Sequence, residues 1–502
     1  MSKFLRSLTK EFIVRLRSKG AEYLIAAGLI ALYLFLSRLR AYLVSYYGNE
    51  IGAITDRFYR IAYDVAFFSF VVSVCLFFLW AVLERKNKIF LAAGCLAIGM
   101  LAAYQFFYIS KDTIYGDLSA RQNLLIDPRY KYMRIENNEY TRQFKAPGRL
   151  SPDFAQVYFP AHKRQPLEDA YTSNTKDPWG RQSRYPPLFH YICSLTYCNL
   201  DYGPASFVNL ILQLVLFIAA YIYAFIRLNL KTDLIPNLIL LGFCLFLTPV
   251  GLAWFERGQF TLYVGLAYLC LLLGLMQRSW FWIVLSAIFS YIKWTSFPYT
   301  FTILAVFLVT SPTRDDLKQG LLLAGLYGTV ILLLFVSFLK AGIIFIDGLL
   351  LQELSFEPAG VNLAYFLPVY VVKLLPAFLV LLGWILLKRK GFQDQIPFFV
   401  SAAILMSAYP TLAYDYNLPS LMVFVPFLIY WSKLPETSIK VGKLELYIFY
   451  GFLVAASFSI RLFVTETVLT VFYILTACTF LIGYFIRVPA ASSSRKSVAA
   501  TT

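Results

Sequence analysis

Residues 89–110 read IFLAAGCLAIGMLAAYQFFYIS, and residues 111–118 immediately after them read KDTIYGDL. The first stretch is long enough to cross the ~30 Å hydrocarbon core as a helix, which takes ~20 apolar residues. The second opens a polar insert that continues to about Tyr185. Apolar runs of the same kind recur on both sides of the insert. Hydrophobic residues make up 59% of the 502-residue chain and the mean hydropathy is +0.64, above the roughly 45–50% of soluble domains. The runs are continuous rather than alternating. In lipid only helices and closed barrels satisfy their own backbone groups, and continuous runs select helices. The expected fold is an all-α polytopic membrane protein.

Charge sets the expected orientation. The net charge is +17, and most of the excess lies in short loops and the N-terminal arm, where the positive-inside rule places it. That accounts for the charge without invoking nucleic acid. Residues 1–20, MSKFLRSLTKEFIVRLRSKG, read as a basic amphipathic helix on the cytoplasmic membrane surface. ERKNK at 84–88, PTRDDLK at 312–318, KRK at 388–390 and Arg487 mark the same side. Three spans then occupy 21–110, and 111–202 form a large external loop ending in an interfacial segment at about 188–199. Further spans fill 203–487, and 488–502 form a disordered cytoplasmic tail. The total is about fourteen crossings with both termini inside. The run from Trp280 to Leu308 is read as two short spans broken at YIKWTSFP, because Pro298 disfavours a continuous helix. That leaves Lys293 at an external turn. Arg38, Arg40, Arg57 and Arg60, around the first external loop, depart from the charge rule. The chain shows no internal repeat, which argues against inverted-repeat transporters.

Cys75, Cys95, Cys244, Cys270 and Cys478 lie in apolar runs and read as packing residues. Cys193 and Cys198 fall on the expected external side, where a disulfide is permitted. Both adjoin a predicted helix, and free thiols are the preferred reading. Two histidines, with no CxxC or HExxH, leave no strong metal signature. No cofactor is expected; a divalent cation is not indicated, although Glu168 and Asp169 are available as ligands. No cytoplasmic loop is long enough for a nucleotide-binding domain, and there is no GxxxxGK[ST].

Five polar clusters meet on the external face of this topology, and ionisable groups near a membrane are costly enough to be functional candidates. The first is Asp153 in SPDFAQVYFPAHKRQ, 151–165. It is either the N-cap of the helix that SPDF opens or a general base for an acceptor hydroxyl. Arg181, Arg184 and Tyr185 precede a Pro-Pro turn. They either snorkel at the interface or clamp a lipid-linked phosphate. His190, just beyond, reads as packed or solvated rather than catalytic. Glu256, Arg257, Gly258 and Gln259 crowd two charges and an amide into a tight connection between apolar runs. Lys293 lies among Tyr291, Trp294 and Phe297, where snorkelling and phosphate binding explain it equally well. In Tyr414-Asp415-Tyr416-Asn417, Asp415 is favoured as a structural partner of one of these cations.

The order of Asp153, Phe154, Tyr158, Ala161 and Tyr171, then Tyr185-Pro186-Pro187-Leu188, Gly258-Gln259, and Lys293 before Pro298 resembles the GT-C polyprenyl-phosphate-dependent glycosyltransferases. Within them it is similar to glycosyltransferase family 87, over roughly residues 89–420. The resemblance implies a GT-C bundle with a large catalytic external loop and a location in a bacterial cell membrane with the site facing outward. It further implies transfer of mannose or another hexose or pentose from a polyprenyl-phosphate donor to an extracytoplasmic lipid or glycan acceptor. Asp153 takes the role of catalytic base. Arg257, Lys293, Arg184 and Arg181 are then the candidates for the donor phosphate. Tyr158, Tyr185, Glu256, Gln259, Tyr414, Asp415 and Asn417 are the candidates for substrate contact. Two extra spans before the loop, a longer loop, and Phe-Thr after Gly-Gln depart from the family pattern. The competing readings are an O-antigen polymerase or ligase-type enzyme, and a transporter or flippase of lipid-linked sugars. A transporter should carry charges near the midplane of several spans, whereas here they gather at one face, apart from Asp64 and Lys373.

Overall fold

The computed structural model describes residues 151–487, except 163–165, 173–176, 178–180, 201, 247–249, 252–253, 255–256, 356–358, 389–390, 410–411, 414, 435–438 and 458–465. The amphipathic helix at 1–20, the first three spans, the insert up to residue 150 and the C-terminal tail lie outside the described residues.

What is described is helical, apart from one two-residue parallel pairing of Ala359–Gly360 with Leu412–Ala413. At the centre is α5, Thr261–Gln277, every residue of which is buried through Leu275. A helix apolar all round belongs in an interior. α5 ends where Arg278 turns left-handed and returns its N–H to the Gly274 carbonyl. Around α5 stand α3 (Tyr202–Arg227), α6 (Trp280–Ile292) and a 3-10 helix, Asp415–Phe424. Small residues let these backbones approach. A Cβ at Gly265 would sit 2.6 Å from the Phe217 ring and 3.2 Å from Ser420 Cα.

The flanks follow in order: α4 (Lys231–Phe246), α7 (Phe297–Thr310), α8 (Arg314–Ser337), α9 (Leu339–Ser355), α10 (Val369–Lys373) and α11 (Leu375–Leu387). The chain continues through α12 (Phe392–Ser407), α13 (Val425–Ser432), α14 (Ile439–Ser457) and α15 (Glu466–Arg487). α12 packs on α15, and α7 on α11.

Among the described residues two helices, Pro204–Arg227 and Arg314–Ser337, are long and apolar enough to cross a membrane, each 24 residues at a hydropathy of 2.2. At 1.5 Å per residue each reaches ~36 Å. Their outer faces are apolar and exposed, as with Phe207, Ile211 and Val215 on α3 and Leu322, Leu332 and Leu333 on α8. Exposed apolar surface of this extent belongs against lipid or a partner rather than water.

The expected break at YIKWTSFP is present: α6 and the segment Trp294–Thr310 are bent by 120°. α6 has 13 residues and α7 has 14, hence ~20 Å each, short of the ~30 Å core. They are the two short helices expected on either side of the break, and Arg278 before α6 pairs with Asp316 at the start of α8, so the two ends of the pair lie together. α9 has no counterpart in the sequence reading. It packs on a 3-10 turn of the insert, Leu167–Tyr171, with Phe345 against Tyr171 at 5.5 Å and Lys340 beside Glu168 at 3.4 Å.

The insert itself contributes α1 (Pro152–His162) and α2 (Pro187–Leu195), the latter running into a 3-10 turn at Tyr197–Asn199. Cys193 and Cys198 are joined by a disulfide across a separation of 5 residues, where free thiols were expected. The helix ends at Leu195, so the second cysteine lies beyond it and the chain is free to turn back. Closing so short a loop removes about 2 kcal/mol of unfolded-chain entropy. Replacing both cysteines with serine is expected to lower stability by about that amount. A shift in the denaturation midpoint of the purified protein measures it, and no shift would show that the bridge does not constrain the unfolded chain.

Candidate active site

The site is assembled by α1, the turn before α5, the break between α6 and α7, and residues 177–185 of the insert. Pro152 pre-sets the first turn of α1, a position where proline loses no hydrogen bond, and Asp153 follows it. The residues behind it, Phe154, Ala155, Val157 and Phe159, are buried. They fix the helix, so the carboxylate is held rigidly.

The turn before α5 delivers Arg257 and Gln259. Trp254, fully buried, anchors it, and the Gln259 N–H closes it on the Trp254 carbonyl at 3.2 Å. Gly258 has φ +62°, and a Cβ there would lie 2.5 Å from the Ser151 Cβ. Glycine is required twice, for its left-handed backbone and for the close approach that brings Asp153 to its neighbours.

Asp153 is the hub. Its Oδ2 accepts from Arg257 Nε at 2.6 Å and from the Gln259 side-chain amide; its Oδ1 accepts from Arg257 Nη2 and Arg181 Nη1, each at 3.2 Å. The Arg257 fork is bidentate, the strong geometry for a guanidinium on a carboxylate. Arg181 is itself steered by Asp177, whose Oδ2 lies 2.8 Å from Arg181 Nε and whose Oδ1 accepts the Arg181 backbone N–H at 2.8 Å. Lys293 caps the end of α6 and donates to Gln259 Oε1 at 2.8 Å. One amide orientation serves both contacts, with N–H toward the carboxylate and C=O toward the ammonium. The Tyr185 ring lies 5.7 Å from Lys293 Nζ and packs edge-on against Phe260 at 4.5 Å.

The side chains of Asp153 and Arg257 are 5% and 11% exposed. Burial pushes the Asp153 pKa up from 3.8, and the charges of Arg181 and Lys293 act against that rise. All four hydrogen bonds to it, from three side chains, come from donors, so a carboxyl proton would have no acceptor to face. The group is a carboxylate. Lys293, also buried, has its pKa lowered from 10.5 to about 8, chiefly by desolvation and further by Arg257, with Asp153 opposing.

Of the residues singled out in the sequence, Asp153, Arg181, Arg257, Gln259, Lys293 and Tyr185 come together. Asp153 heads its helix, but its carboxylate serves the cations rather than the cap. Gln259, expected at the substrate, bridges Asp153 and Lys293. Arg184 is exposed. Tyr158 is buried, donating to the Leu200 carbonyl at 2.9 Å. Asn417 accepts from Thr261 at 3.2 Å, tying its segment to the start of α5. Glu256 and Tyr414 lie outside the described residues, as does the side chain of Asp415. His190 is fully buried and paired with Ser183 at 2.8 Å; burial lowers its pKa to about 4, so it is neutral. Glu168 is engaged by Lys340, and among the described residues no group of three or more His, Cys, Asp or Glu gathers as a metal site. Asp177 was missed. Its signal was local, an acid four residues before Arg181.

Compared with known proteins, the chain matches no protein-family model, no curated protein and no solved structure.

Proposed function

We propose that this chain is an integral-membrane glycosyltransferase of the GT-C type, resembling glycosyltransferase family 87. It transfers a sugar from a polyprenyl-phosphate donor to an extracytoplasmic lipid or glycan acceptor. One observation carries the reading. Lys293 is a buried ammonium whose hydrogen-bond acceptor among the described residues is a neutral amide. Such a charge is costly without a counter-ion, and it stands one amide away from a carboxylate gripped by two guanidiniums. Among the described residues three cations, Arg181, Arg257 and Lys293, face two carboxylates, Asp153 and Asp177, and a phosphodiester supplies a further negative charge.

In this reading the chain crosses the membrane about fourteen times, with the site on the outer face. The Cys193–Cys198 bridge supports that orientation, since disulfides persist in oxidising compartments. Cysteine placed at Gly148 should react with an impermeant thiol reagent added outside, and cysteine at Lys318 should not. The reverse pattern would put the site on the cytoplasmic side.

The chemistry is a single displacement. The acceptor oxygen attacks the anomeric carbon, its proton passes to Asp153, the bond from that carbon to the phosphate oxygen breaks, and polyprenyl phosphate leaves with the electron pair. The configuration inverts. In the arrangement described, the four lone-pair positions of Asp153 are all occupied by donors. A phosphate drawing Arg181 or Arg257 to itself would return a lone pair to Asp153 and so arm the base. The same cations then stabilise the phosphate that leaves.

The test uses purified protein in detergent with a radiolabelled polyprenyl-phosphate sugar and a membrane acceptor extract. Label should appear in a new glycosidic product. Label that only crosses a vesicle membrane, with no new product, would assign the chain to the flippases instead.

A further inference from the structure

The segment Tyr291-Ile292-Lys293-Trp294 concentrates hydrogen-bond donors that lack acceptors among the described residues. Tyr291 is fully buried and its hydroxyl has no partner there; the indole N–H of Trp294 is shielded from solvent and has none either. Lys293 commits one N–H to Gln259, and an ammonium carries three. Burying such groups unsatisfied costs free energy.

These side chains gather in one aromatic cluster. The Tyr185 ring beneath Lys293 belongs to the residue whose carbonyl takes the Tyr171 hydroxyl at 2.7 Å. Tyr171 and Trp294 both pack on Phe345 of α9, at 5.5 and 4.9 Å, and Trp294 lies 5.9 Å from Tyr291. The cluster thus brings together aromatic faces, the packed face of α9 and an ammonium that shares Gln259 with Asp153.

Aromatic faces with unfilled donors suit a ligand that offers C–H surface and many oxygen acceptors, which is the chemistry of a sugar ring. We propose that Tyr291 and Trp294 bind the sugar of the lipid-linked donor, next to its phosphate at Lys293, beneath α9. The inference rests on the donor assigned above and adds the residues that recognise the sugar.

The experiment is calorimetric binding to the full chain in detergent, with two probes: a short-chain polyprenyl-phosphate hexose and the same polyprenyl phosphate without sugar. Tyr291→Phe removes a hydroxyl with no described partner, so the melting temperature should hold. Affinity for the sugar-bearing probe should fall roughly tenfold, as for one lost hydrogen bond, with the sugarless probe unaffected. Trp294→Phe should behave alike. Equal losses for both probes, no loss for either, no binding of either probe by the natural chain, or a marked drop in melting temperature would each overturn the assignment. The two readings fail separately. Sugar-selective binding sensitive to Tyr291, with no transfer, removes the transferase and keeps the sugar site. Transfer at unchanged KM in Tyr291→Phe keeps the transferase and removes the sugar site.

Discussion

Asp153→Asn is expected to lower the transfer rate per folded molecule by about two to four orders of magnitude, the usual loss for a general base. The amide is nearly isosteric, but it is not silent in this site. Its N–H groups would meet Arg257 and Gln259, which are donors themselves, and two guanidiniums would lose a carboxylate. Breaking a largely buried pair by removing one partner costs on the order of 3 kcal/mol, so a fall in melting temperature should accompany the loss of rate. That is why the rate must be taken per folded molecule, well below the melting transition. A variant within tenfold of the natural rate on that basis would leave Asp153 as a counter-ion only. Attention would then pass to Asp177, the other carboxylate in the ion-pair network.

The sequence carried the site further than it carried the bundle. Asp153 lies more than a hundred residues before Arg257 and Lys293, yet charge placed all three on one face, because the cost of a charge in lipid leaves few positions for it. What charge could not give was the wiring. That Gln259 links the carboxylate to the ammonium depends on side-chain directions set by Gly258 and by the packing of Trp254, and neither leaves a mark in composition. α9 was illegible for a related reason. Its residues, LKAGIIFIDGLLLQELS, mix apolar and charged positions and follow α8 with only Phe338 between. Hydropathy therefore gave no boundary. The disulfide turned on where α2 stops, and helix ends are the least determined feature of any apolar run. The break at Lys293 was legible because proline and a buried cation both interrupt a helix for reasons local to the segment.

Lys293→Gln is expected to raise the donor KM strongly, by an order of magnitude or more, since contacts to a charged group are worth ~1.5–3 kcal/mol. Turnover at saturation should change less. The natural lysine also predicts a pH signature. Its pKa in the fold is about 8 against 10.5 for the free side chain. Between those values the unfolded chain binds more protons than the folded one, so stability rises with pH across that window. Holding the proton near neutral pH costs the fold about 3 kcal/mol, which Lys293→Gln should recover in part. For catalysis the sign is opposite. Above pH 8 the amine is neutral and offers the phosphate no charge, so kcat/KM, which reports the free enzyme, should fall about tenfold per pH unit. Lys293→Arg keeps its charge throughout that range and should abolish the alkaline fall, even if the longer fork lowers the plateau. A natural enzyme whose kcat/KM is flat from pH 7 to 10, or a glutamine variant with an unchanged donor KM, would show that the ammonium does not meet the phosphate. The anion site would then have to be carried by Arg181 and Arg257 alone.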